Sequence, residues 1–242
     1  MKNKSVKDLL YSMDTQNPNA NTLAELHKYI PARELDMEAY TVYAAIGSYN
    51  EISGNMEAII QKTNQYDLVT LEEISVWRIC SNILTEEDVI AHTSQAYGRI
   101  TIDVETVLQQ LVKRGLVATY KGPTVPSACF SLLSTHPIKP LIHSRKDLDT
   151  RAKKYLIRNG ITRESLTEAR RIRNLLDDLN EVEKKILHII QTSDTGYCFR
   201  DIMNIDHTWI SSITRLEPYD CILLTMRYFL ESNLIYLEHP NQ

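Results

Sequence analysis

Glycine and proline are scarce, at 7 and 8 among 242 residues. That excludes long flexible or low-complexity tracts and leaves little room for a glycine-rich phosphate loop. The chain has no such loop, no nucleophile elbow and no His-Glu-x-x-His helix, so catalysis is not expected. The paired acids Glu72-Glu73, Glu86-Glu87 and Asp177-Asp178 fall at expected helix ends, where the helix dipole accounts for them. Cysteines number four (Cys80, Cys129, Cys198, Cys221) and no two have the spacing of a zinc knuckle or redox pair. His188, Cys198, His207, Cys221 and His239 match no zinc pattern either, so neither metal nor cofactor is expected. No run approaches 18 apolar residues, and the basic opening is not followed by an apolar signal core. The expectation is a cytoplasmic protein with reduced thiols and no membrane contact.

What is present is an ordinary globular composition, 43% hydrophobic and 24% charged, with charge unevenly distributed. Between His136 and Arg173 stand eleven Lys/Arg (Lys139, Arg145, Lys146, Arg151, Lys153, Lys154, Arg158, Arg163, Arg170, Arg171, Arg173) against four acids. This segment is +7, leaving −11 on the remainder of a chain whose net charge is −4.

Thr22 with Glu25 forms a capping box for a short helix stopped by Pro31, and helical patterns follow over Leu35–Ile46 and Met56–Gln61. Thr70 with Glu73 opens a helix striped by Val76, Trp77, Ile79, Cys80, Ile83 and Leu84. Thr85 caps a second helix, which Gly98 breaks. A third begins at Thr101, with Val104, Val107, Leu108, Leu111 and Val112 on one buried face and Gly115 as a left-handed C-terminal cap. Two strands are expected next, Leu116–Tyr120 and Ala128–Leu132, joined by a turn over Lys121–Thr124.

The pattern repeats. Asn180 with Glu183 matches Thr70 with Glu73, and Ile186, Ile189 and Ile190 match Val76, Ile79 and Cys80. Ile222, Met226, Phe229 and Leu230 match Val104, Leu108, Leu111 and Val112. Asn233 stands for Gly115, and Leu234-Ile235 for Leu116-Val117; no room is left for a returning strand, and Pro218 sits where the last helix can begin. Between the repeats, Asp147–Arg158 reads as a helix ended by Asn159-Gly160. Another starts at Thr162 and runs to Leu179, either continuing into the second repeat or restarting at Asn180.

The run Val107–Val117 (VLQQLVKRGLV) resembles the third helix and first wing strand of MarR- or GntR-type winged-helix modules. The resemblance implies a mainly α fold with small β-hairpins: a helical N-terminal unit over 1–68, winged-helix modules over 69–135 and 178–242, and a basic helical linker over 136–177. It also implies double-stranded DNA as partner, transcription regulation or replication and partition as task, and a homodimer on a two-fold site. Residues expected to face DNA are Thr106, Gln109, Gln110 and Lys113 on the third helix, Arg99 ahead of it and Lys121 on the wing turn. The linker adds Arg145, Lys146, Arg151, Lys153, Lys154, Arg158, Arg170 and Arg171 on the phosphates. Asp103 and Glu105 oppose this reading, offset by Lys113 and Arg114. The last helix, with Glu217, Asp220 and Glu231 against Arg227, suits packing or dimerisation better. The competing implication is a protein partner, since acidic tandem winged helices also occur as non-catalytic subunits of chromosome-organising complexes.

Overall fold

The computed structural model describes residues 39–51, 57–62, 65–97, 102–192, 199–204, 208–213 and 217–240. The chain divides into two units, Met1–Ala39 and Tyr40–Gln242. The helix expected after Thr22, and Arg99 with the Gly98 break, lie outside the described residues. The second unit is mainly helical with small antiparallel sheets. Among its described residues no helix is long and apolar enough to cross a membrane.

The first half of this unit holds β1 (Tyr40–Ala45), β2 (Ser48–Glu51), β3 (Glu57–Lys62), β4 (Gln65–Val69), α1 (Leu71–Cys80), β5 (Leu84–Thr85), α2 (Glu86–Tyr97), α3 (Val104–Lys113) and β6 (Val117–Gly122). β1 lies between β5 and β6, antiparallel to both, with Val42 opposite Thr85 and Tyr120. β2, β3 and β4 form a separate meander between β1 and α1. Where they are described, the segments expected as helices are therefore strands, Tyr40–Ala45 and Glu57–Lys62; Leu35–Glu38 and Met56 lie outside the described residues. Thr41–Ile46 (TVYAAI) is apolar with little alternation because β1 is covered on both faces: Val42 and Ala44 join one core, Ala45 the other. A strand buried on both sides does not show a two-residue period.

The second half comprises α4 (Val125–Thr135), β7 (Ile138–Pro140), α5 (Arg145–Asn159), α6 (Arg163–Asn174), α7 (Glu181–Gln191), α8 (Phe199–Met203), α9 (Thr208–Ile213), α10 (Pro218–Glu231) and β8 (Ile235–Leu237). The expected wing strand Ala128–Leu132 is helical and belongs to α4. Thr124 caps it, its hydroxyl accepting from the Ser127 amide at 3.2 Å, and a proline occupies the first turn. Those two signals outweigh the local strand propensity, and Ala128, Cys129, Leu132 and Leu133 then share a buried face. Gly122 makes room for this helix: a Cβ there would lie 2.7 Å from the Ala128 amide nitrogen.

The repeat is visible in three dimensions. Thr70–Glu73 and Asn180–Glu183 both form complete capping boxes. Gly115 (φ +69°) and Asn233 (φ +51°) both end their helix in the left-handed region. The following amides, of Leu116 and Leu234, reach back to the carbonyls of Leu111 (2.9 Å) and Phe229 (2.8 Å). In each half the C-terminal strand pairs with one that precedes the first helix: β6 with β1, β8 with β7. Leu116 O accepts from Ile46 N, and Leu234 O from Leu141 N, both at 2.9 Å. The halves differ in what is inserted after that leading strand, the β2–β4 meander in one and the α5–α6 hairpin in the other. Asn180 does restart the chain, so α6 and α7 are separate helices.

Two cores result. The first joins α1, α2, α3 and the inner sheet face around Trp77, whose indole Nε1 donates to the carbonyls of Leu116 (3.0 Å) and Ile46 (3.2 Å). The second runs from the outer sheet face through α4 into α5–α10, with Phe130, Phe199 and Tyr219 ring centres 5.5–6.2 Å apart.

Candidate nucleic-acid interface

On α3 the buried Val104, Val107, Leu108 and Leu111 turn inward at helical spacing, leaving Glu105, Thr106, Gln109, Gln110 and Lys113 exposed. Asp103 is the N-cap: its carboxylate accepts from the Thr106 amide (3.2 Å) and hydroxyl (2.8 Å). These bonds hold the Asp103 carboxyl below its ordinary range. The Thr106 hydroxyl proton is thus committed to the cap, while the side chain stays at the surface.

Arg114 does not offset the acids of α3. Its guanidinium bonds Glu73 Oε1 (2.7 Å) and the Leu68 carbonyl (2.6 Å), with Asp67 at 3.7 Å. Glu73 is buried, so Arg114 anchors the end of α3 to the start of α1. Lys121 is exposed but sits within β6 opposite Thr41, not on a wing turn, because β6 leads into a helix.

The basic segment folds as the α5–α6 hairpin. Asp147 caps α5 through the amides of His143 (3.0 Å) and Ser144 (2.8 Å), bonds that lower its pKa. Leu148, Ala152, Ala169 and Ile172 pack inward. The expected cations then separate into two groups. Arg145 pairs with Asp177, Arg171 with Glu168 (2.9 and 2.7 Å), Arg173 with Asp149 (3.4 Å) and Lys139 with Glu238 (3.8 Å).

Arg151, expected on the phosphates beside Lys154 and Arg158, instead turns inward. It donates to the carbonyls of Ser232 (3.0 Å) and Asn233 (3.3 Å), capping the C-terminal end of α10. Burial, then the neighbouring Arg171, lowers its pKa, with Glu168 opposing. Arg158 is exposed and reaches the Tyr49 hydroxyl at 3.3 Å, and Arg78 stacks on the same ring at 4.5 Å. Lys146, Lys153, Lys154, Arg163 and Arg170 point outward and bond no acidic side chain among the described residues.

Sequence reasoning missed the aliphatic tip of this hairpin. Ile157 is 84% exposed, Ile161 80% and Leu166 50%. Ile157 falls on the outer face of α5 at helical spacing from Lys146, Thr150, Lys153 and Lys154, and that single apolar residue on a basic face was the available signal.

The last helix of the second half, α10, packs internally: Arg227 donates to the Asn82 carbonyl (2.9 Å) and Tyr219 to that of Pro126 (2.9 Å). Cys80, Cys129 and Cys221 are free thiols; burial raises all three, Cys80 to about 12, which suits core packing rather than nucleophilic work. Cys198 and His207 lie outside the described residues, and among those described no three His, Cys, Asp or Glu are grouped to hold a metal. Compared with known proteins, the chain matches no family model, no curated protein and no solved structure.

Proposed function

We propose that this chain is a cytoplasmic double-stranded-DNA-binding protein built on two winged-helix modules, each pairing its C-terminal strand with one from ahead of its first helix. The reading rests on the outward cations of the α5–α6 hairpin, Lys146, Lys153, Lys154, Arg163 and Arg170. They would neutralise phosphates and supply most of the affinity. Thr106, Gln109, Gln110 and Lys113 on α3 would enter the major groove, where glutamine can read adenine edges and the threonine methyl can touch thymine. Transcription regulation, or replication and partition, are tasks that suit such a protein, and a two-fold site would favour a dimer.

The experiment is fluorescence anisotropy with a mixed-sequence duplex at 50 and 200 mM salt, beside a variant with those five cations changed to alanine. Five neutralised phosphates give a slope near −4.5, so affinity should fall about 500-fold over that range. In the variant most of that dependence should vanish. Absence of binding at 50 mM salt would refute the proposal. One observation favours the competing reading of a protein–protein subunit: Asp103 and Glu105 head α3. In that case the chain captures a protein partner with its hairpin cations dispensable.

A further inference from the structure

We propose that the tip of the α5–α6 hairpin is an apolar wedge that enters a groove of duplex DNA and unstacks a base step, bending the helix. The inference rests on the DNA-binding reading above and adds to it a deformation, which phosphate contacts alone do not produce. Three aliphatic side chains protrude within ten residues: Ile157 from the last turn of α5, Ile161 from the loop and Leu166 from the first turn of α6, at 84%, 80% and 50% exposure. Covering aliphatics this exposed releases free energy, and several of them close together in the chain mark an interaction site more than one alone would.

Charge and size select the occupant. Lys153, Lys154 and Arg163 are exposed and flank the tip in the chain, with Glu164 as the acid between Ile157 and Leu166. A phosphate backbone is the complement of that charge, and aliphatic side chains flanked by cations are what groove-bending proteins insert between bases. Three exposed side chains on one helix–loop–helix turn make a small patch, whereas a stable protein partner needs roughly 800 Å² of matching surface on each side. A bilayer surface favours Trp and Tyr at the headgroup level, and the tip from Ile157 to Leu166 has no aromatic side chain.

The turn that carries the tip is also braced by hydrogen bonds, which suits a wedge. Gly160 turns the chain at φ +71°, with open space around it. The Ser165 hydroxyl donates to the Gly160 carbonyl (2.6 Å) and accepts from the Thr162 amide (2.8 Å), and the Asn159 side-chain amide donates to the Tyr155 carbonyl (2.9 Å). Arg158 ties the end of α5 to Tyr49 of β2 at 3.3 Å. These bonds reduce the backbone freedom to be lost on insertion.

The test uses the full chain with a 30-base-pair duplex carrying donor and acceptor dyes at its ends, and a second duplex set with 2-aminopurine placed at successive steps. Wild type should shorten the end-to-end distance and raise 2-aminopurine emission at one step. Ile157→Ser with Ile161→Ser, at sites too exposed to affect folding, should lose both signals. Its affinity at 50 mM salt should stay within about threefold, because the phosphate contacts that set it are untouched. Wild-type binding without shortening, or unchanged shortening in the Ile variant, overturns the wedge and leaves DNA binding standing. No binding to any duplex removes the DNA reading itself and the wedge with it. Vesicles of phosphatidylglycerol and phosphatidylcholine are run in parallel: Ile-dependent vesicle binding without duplex binding overturns the proposal in favour of a membrane surface.

Discussion

Arg114 is the place where one side chain supports two helices, and removing it gives the most informative stability test. Its guanidinium holds Glu73 Oε1 at 2.7 Å, while Glu73 Oε2 accepts the Thr70 amide at 2.9 Å and completes the cap of α1. Arg114→Met keeps the stem that packs but leaves a nearly buried carboxylate, 9% exposed, without its cation. Breaking a fully buried pair costs about 3–5 kcal/mol. Arg114 is itself 31% exposed, so solvent screening reduces the expected loss to about 2 kcal/mol. Urea unfolding followed by tryptophan emission measures it, since Trp77 lies in the same core. With a slope near 2 kcal/mol/M the midpoint should fall by about 1 M. Glu73→Gln keeps an oxygen for the cap and removes the charge. The double variant should therefore be less destabilised than the two single losses combined, by at least about 1 kcal/mol. A single-variant loss below about 0.5 kcal/mol, or strict additivity, would refute the claim that the pair couples α3 to α1.

Gly122→Ala places a methyl 2.7 Å from the Ala128 amide nitrogen, and backbone does not yield as a side chain does; thermal unfolding should show a loss of about 1–3 kcal/mol. The buried His136 imidazole titrates below its ordinary 6.5, because burial disfavours the charged ring and His239 adds to this against the Leu132 carbonyl. The unfolded chain then takes up the proton first, so this contribution is complete above about pH 6.5 and is lost as pH falls towards the folded value. His136→Gln should flatten that part of a stability–pH curve. Cys80, pushed up to about 12 by burial, should resist a thiol reagent at pH 8 in the native protein and react once urea unfolds it.

Much of the fold was legible because its signals are local. Both capping boxes, the α3 stripe and the equivalence of Gly115 with Asn233 depend on residues a few positions apart. β1 was not legible, because what makes TVYAAI a strand is a sheet completed by residues 84–85 and 117–122 and covered by α4. α4 had its signals in Thr124 and Pro126, but Lys121-Gly122-Pro123-Thr124 also reads as a turn, and the strand expectation followed from that choice. The candidate site divides in the same way. Charge counting located the hairpin but could not tell Arg151, whose carbonyl partners lie about 80 residues away, from Lys154, three residues on in α5.

Supplying each closing pair from opposite ends of a module has a consequence for synthesis. When Val42–Ile46 is made, the strand that completes its sheet is still about 70 residues away. At about 5–20 residues per second, that is roughly 4–15 s during which α1, α2 and α3 can form locally while an apolar strand stays open on an edge. β7 waits in the same way for Ile235–Leu237. The nascent chain is therefore most exposed to misassociation between the appearance of each leading strand and its closing strand, and a half-made molecule presents the same apolar edges to its neighbours.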